Sequence, residues 1–144
     1  MNAYFDTSAL VKLFLSEDGS EQAMTLFAAA EVAITNALAF VEVRAALAAA
    51  VRAGRLEAAF EAAKADLQAL RERFAVIDPG GVLEAAADAA ERHALRAYDA
   101  VHLATALVVA GDDLVFVCWD ADLSTAASRA GLAVAGGDGG RAVR

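Results

Sequence analysis

Four acidic residues occupy positions where an acid is conspicuous. Asp6 follows the apolar run Ala3-Tyr4-Phe5, Asp120 follows Leu114 to Trp119, and each opens a helix-forming stretch. Aspartate is a favoured helix N-cap, yet two at the carboxyl ends of adjacent strands would also meet. Glu42 sits in LAFVEVRAAL, with Leu38, Ala39, Ala45 and Ala46 as its neighbours three and four residues away. A carboxylate buried on such a face must find a cation, a metal or a proton. Arg44, two residues on, projects elsewhere on the helix, which leaves a distant arginine as the structural alternative. Asp99 leads the segment 98–110, whose only other polar residues besides Tyr98 are His102 and Thr105. Spaced three apart, Asp99, His102 and Thr105 form one narrow polar edge. On that edge His102 either pairs with Asp99 or is a satisfied core histidine.

Four converging carboxylates have a defined chemistry. Their hard oxygens suit Mg²⁺ or Mn²⁺, and a divalent ion removes the mutual repulsion that would raise their pKa values. Such a site activates water for in-line displacement at a phosphodiester, leaving a 3′-hydroxyl and a 5′-phosphate. Other chemistries lack their residues. No Ser–His–Asp set is recognisable, and the glycines at 136–140 lead into no helix that could cradle a phosphate. The single cysteine, Cys118, excludes an internal disulfide and a cysteine-rich zinc site. Asp122, in the first turn after Asp120, is a dipole-favoured acid before it is a ligand.

The elements that must position these acids alternate between short strands and longer helices. Strands are expected at 3–5, 32–35, 76–77, 114–119 and 132–134, the fourth being apolar throughout, as in a strand buried on both faces. Helices are expected over 7–15, 20–30, 37–52, 55–74, 82–95, 98–110 and 121–130. Gly54 is placed as a C-terminal cap, and Leu56, Ala59, Phe60, Ala63, Leu67, Leu70 and Phe74 form a helical stripe. This alternation predicts a mostly parallel sheet with helices on both faces, in which ligands bind beyond the carboxyl ends of the strands. One domain over 1–135 and a frayed tail over 136–144 are expected.

Composition narrows the class. The hydrophobic share is 59%, but 40 residues are alanine, so the core is ordinary. The longest apolar stretch, ending at Gly111, is well short of the roughly 20 residues of a bilayer span. Residues 1–6 carry no basic flank, so no secretory leader is expected and the protein is read as cytoplasmic. The net charge of −8 is unlike a nucleic-acid binder, unless metal ions on carboxylates meet the phosphates. Local cations must then rim the site, and Arg44 and Arg96 are the candidates nearest to Glu42 and Asp99.

The stretches YFDTSALVKLFLSEDGS, FVEVRAAL, RAYDAVHLATAL and VFVCWDADLSTAASRAGLAV, in this order between residues 4 and 134, resemble PIN-domain ribonucleases. More narrowly they resemble the VapC-type toxins of toxin–antitoxin pairs. The resemblance implies a PIN-like three-layer α/β/α sandwich and Mg²⁺- or Mn²⁺-dependent endoribonuclease activity. It carries the acidic site onto Asp6, Glu42, Asp99 and Asp120, with Thr7 and Ser8 as supporting hydroxyls. It also implies a homodimer and a cognate antitoxin that inserts a basic side chain near the metal site. Such a partner is expected to bring that side chain close to Glu42 or Asp99 and to lay an apolar segment along 37–52 and 55–74. Trp119 departs from the pattern, which commonly has a smaller residue or a hydroxyl there. Two other readings stand beside it: a PIN domain that only binds, and a haloacid-dehalogenase-type phosphatase suggested by Asp120-Ala121-Asp122-Leu123-Ser124. The latter would have to fit its further motifs into the 20 residues after Ser124.

Overall fold

A computed structural model of the chain describes residues 1–55 and 59–137. Its strands are β1 (Asn2–Phe5), β2 (Ala33–Asn36), β3 (Ala75–Ile77), β4 (Leu114–Val117) and β5 (Ala133–Ala135). They form one sheet in the order β3-β2-β1-β4-β5, and every neighbouring pair is parallel. Parallel neighbours require crossovers. These are α1 (Thr7–Phe14) with α2 (Ser20–Ala29), α3 (Ala37–Arg52) with α4 (Phe60–Arg71), α5 (Leu83–His93) with α6 (Ala97–Val108), and α7 (Ala121–Arg129). A short 3₁₀ turn, Pro79–Val82, precedes α5.

The chain steps outward from β1 to β2 and β3, then returns to the other side of β1 for β4 and β5. With right-handed crossovers, this reversal puts α1–α4 on one face of the sheet and α5–α7 on the other. The pleat of β1 serves both layers. Ala3 and Phe5 pack into a core with α1, α3 and α4, while Tyr4 packs among α5, α6 and α7. The expected α/β/α sandwich is therefore observed. Its strand order reverses between β1 and β4, the crevice where ligands of such sheets bind.

Several boundaries differ from the sequence reading. β4 ends at Val117, two residues early, because the Trp119 amide donates to the Ser8 hydroxyl at 2.8 Å and turns the chain out of the sheet. The helix expected over 55–74 is observed only as Phe60–Arg71, with residues 56–58, Leu56 among them, outside the described residues. Its end comes early because the chain turns to bring Phe74 against Phe5, Phe27 and Phe40. Gly54 caps α3 as expected, at φ +73°, with the Gly54 and Arg55 amides donating to Val51 and Ala50. Of the tail, only Gly136 and Gly137 are described. Among the described residues no helix is long and apolar enough to cross a membrane.

Candidate active site

A cleft of about 310 Å³ opens over the switch point, and Asp6, Glu42, Asp99 and Asp120 all line it. The four acids singled out by type and spacing thus share one wall system, two from strand ends and two from helices.

Asp6 and Asp120 are both caps and cleft residues. One oxygen of each accepts its own helix's third amide, Ala9 N at 2.9 Å and Leu123 N at 2.8 Å. Asp6 is 3% exposed and is held further by the Ser8 hydroxyl, at 2.7 and 2.9 Å from its two oxygens, and by the Cys118 thiol at 3.2 Å. Burial raises its pKa above the ordinary value of 3.8, partly opposed by His102 and by the Ser8, Ala9 and Cys118 hydrogen bonds. Burial likewise pushes the Cys118 thiol up, with Asp6 beside it adding to the effect. The thiol therefore stays protonated and can donate to Asp6.

Glu42 and His102 form the second wall. The Thr7 hydroxyl donates to Glu42 Oε1 at 2.8 Å, and His102 Nε2 lies 3.0 Å from the same oxygen. The histidine tautomer follows from the cap of α3. Asn36 Oδ1 accepts the Ala39 amide, which turns its Nδ2 toward His102 Nδ1 at 3.2 Å. With Nδ1 accepting, the proton sits on Nε2 and points at Glu42 and at Thr7 Oγ1, 2.9 Å away. Tyr4 closes the network, its hydroxyl 3.0 Å from Nδ1 and 3.1 Å from Asn36 Nδ2.

Two expectations are corrected here. His102 pairs with Glu42, not with Asp99, because the polar edge of α6 splits: His102 and Thr105 face the core, whereas Asp99 sits half-buried in the first turn, turned toward Arg96. Asp99 is instead held by Arg96 Nε at 3.0 Å, and Arg96 Nη2 reaches Asp120 at 3.5 Å. Glu42 is also less buried than its neighbours suggested. Val41 is 63% exposed and Ala45 and Ala46 face outward, so the apolar run on that side of α3 covers surface.

Of the remaining candidates, Thr7, Ser8, Arg96 and His102 line the cleft, and Arg44 and Asp122 do not. Arg44, two positions from Glu42, faces the groove between α3 and α4. Asp122 is exposed beside His93 and Arg129, so the paired aspartates of a dehalogenase-type phosphatase do not meet. Four cleft residues were missed: Val11, Lys12, Glu17 and Trp119. Lys12 Nζ lies 5.3 Å from the Trp119 ring centroid and bonds Glu17 at 3.0 Å. Its position one turn after Ser8 was the available signal. Gly19, at φ +89°, completes this wall, since a Cβ there would lie 2.7 Å from Trp119 Nε1.

The donor set fits a hard divalent ion. All four candidate ligands are carboxylates, and the Arg96 guanidinium already lies between two of them. Among the described residues no three Asp, Glu, His or Cys side chains close into a ready cage. That spread suits Mg²⁺, which takes one or two carboxylates and keeps several waters.

Fold and cleft together define an α/β/α domain with a carboxylate site at the switch point of a parallel sheet. Residues 3–126 match the family model of the PIN domain, and the chain belongs to that family. It is 44% identical over 137 residues to Ribonuclease VapC49 of Mycobacterium tuberculosis, across 92% of this chain and 93% of that one. Among solved structures it resembles PAE2754 from Pyrobaculum aerophilum, with TM-score 0.71, 23% identity, and 93% and 89% of the two chains covered. It also resembles a toxin–antitoxin complex from Klebsiella pneumoniae, with TM-score 0.61, 20% identity, and 83% and 87% covered.

Proposed function

We propose that this chain is a divalent-metal-dependent endoribonuclease and the toxin of a toxin–antitoxin pair, acting in the cytoplasm through a nuclease domain over residues 1–135. The observation that carries this reading is the convergence of Asp6, Glu42, Asp99 and Asp120 on one cleft. The 44% identity to a protein named as a ribonuclease supports the substrate class.

Asp6, Glu42, Asp99 and Asp120 would hold Mg²⁺ or Mn²⁺. Bound there, the ion supplies a Lewis acid for the phosphoryl oxygens and lowers the pKa of water. The chain's own residues do the positioning. Ser8, Cys118 and the α1 amide fix Asp6, while Thr7 and His102 fix Glu42 from the opposite wall. Arg96, 81% exposed and anchored on Asp99, is placed to meet a phosphate as it enters. Lys12, held by Glu17, adds a second cation at the wall formed by Trp119.

An antitoxin would present a basic side chain to the same acids, and the fold shared with the Klebsiella complex supports such a partner. Exposed Leu83, at the start of α5, and Leu107 and Val108, at the end of α6, support a homodimer. The test is cleavage of a labelled RNA by purified protein. Activity should require Mg²⁺ or Mn²⁺ and stop in excess EDTA. Equal cleavage with and without the chelator would overturn the mechanism.

A further inference from the structure

The acidic cleft continues along α3 into a second surface through shared lining residues. Glu42 lines both the cleft and an apolar hollow of about 280 Å³ that it forms with Leu38, Val41, Ala45 and Tyr98. Val41 in turn lines both that hollow and a groove of about 490 Å³ between α3 and α4. The groove is not the apolar trough expected from two alanine-rich helices. Its walls carry Arg44, Lys64 and Arg71 against one acid, Glu61, in a chain whose net charge is −8.

Two of these cations, Arg44 and Arg71, are available. Glu61 is engaged by Lys64 at 3.1 Å, and among the described residues Arg44 and Arg71 make no ion pair. Arg71 lies over the Phe40 ring, 4.7 Å from its centroid, which holds the guanidinium in place without neutralising it. Between groove and cleft stands Tyr98, 57% exposed. A cationic groove joined through an exposed aromatic to an acidic site has the parts of a single-strand track: phosphate partners and a stacking face. An apolar partner helix would leave the charges unanswered.

We propose that the α3–α4 groove carries the RNA backbone away from the acidic cleft, with Tyr98 stacking a base and Arg44, Lys64 and Arg71 holding phosphates beyond it. The proposal rests on the ribonuclease reading and adds to it a binding site outside the carboxylates.

The test measures binding of single-stranded RNAs of about 4 and about 12 nucleotides by fluorescence anisotropy, in Mg²⁺, at several salt concentrations. An Asp99→Asn background keeps the RNA intact. The background protein should bind the longer RNA more tightly and with the steeper salt dependence. Adding Arg44→Gln and Arg71→Gln should remove most of that gain and lower the log–log salt slope for the longer RNA by about 1.4, at about 0.7 per phosphate contact. Arg44→Gln alone, a change at an exposed residue, should lower it by about 0.7. Arg92→Gln, the same charge change on α5, should leave the slope where it was. An unchanged slope in both Arg44 variants overturns the groove, as does equal weakening of short and long RNA. So does unchanged RNA binding together with lost affinity for an acidic peptide, which would make the groove a protein site. If the protein without these changes neither binds nor cleaves RNA, the ribonuclease reading falls first, so the two failures are distinguishable.

Discussion

The two halves of the acidic cleft are built in opposite ways. Around Asp6 and Glu42 the partners are short hydrogen-bonding groups held by the fold: the Ser8 and Thr7 hydroxyls, the Cys118 thiol, a backbone amide and the His102 ring oriented by Asn36. Asp6 is buried, and its carboxylate is costly there without a cation. Around Asp99 and Asp120 the partner is a full charge on a mobile stem, and Arg96 is 81% exposed. An ion pair whose cation is this exposed contributes little to stability and exchanges readily. The first half is rigid and holds its acids in place before any cation arrives. The second half gives up its cation when another arrives.

Breaking the open half should cost activity and little else. Asp99→Asn is expected to lower RNA cleavage by about 10²–10³-fold, the scale of losing one electrostatic group at a reacting centre. Its melting temperature without metal should stay close to that of the unchanged protein, because among the described residues the side-chain hydrogen bond and ion pair that Asp99 makes go to exposed Arg96, and asparagine keeps its volume. A drop in melting temperature comparable to a core substitution would show that the open half is structural.

Loosening the rigid half without touching an acid should have a smaller effect. Thr7→Val and His102→Leu each remove a donor from Glu42 and are expected to cost about 10–100-fold in Mn²⁺ affinity, measured by calorimetry. His102→Gln, which keeps an amide donor, should recover part of that loss. Affinities equal to that of the unchanged protein in all three variants would mean that Glu42 needs no positioning.

The contrast can be sharpened through stability. Asp6→Asn keeps the cap oxygen but removes the buried charge, so it should abolish cleavage while raising the metal-free melting temperature, by about 4 °C for each kcal/mol relieved. The sign with pH follows from Asp6's raised pKa. Its contribution to folding is fully present below the ordinary value of 3.8 and is lost as pH rises through the higher folded value. The advantage of the asparagine variant should therefore appear toward neutral pH and vanish in acid. An advantage that is constant with pH would assign it to packing.

The smallest effect lies outside the cleft. Ala94 ends α5 at φ +52° with its side chain in the left-handed region. Ala94→Gly should stabilise the fold by about 0.5 kcal/mol, the strain removed less the entropy glycine adds. Because Ala94 lies outside the cleft lining, denaturant unfolding should register the gain with no change in metal binding.

The sequence alone determined the parallel sheet and the membership of the acid set. Asp6 and Asp120 had to cap helices after apolar strands, a local pattern of propensity and spacing. The alternation of strands and helices then left few topologies open. Partners were another matter. Which atom His102 faces depends on how α6, on one face of the sheet, meets residues of α1 and α3 from the other face, and Glu42 is 60 residues away from it. Helical spacing could relate His102 only to its own helix, and so pointed to Asp99. The exposure of Val41 and Ala45, the basic character of the α3–α4 groove and the place of Lys12 under Trp119 likewise come from how separate elements meet. A residue's type and its helical phase are local properties written in the chain. Burial and the identity of a hydrogen-bond partner depend on both contacting elements, so only the tertiary structure decided them.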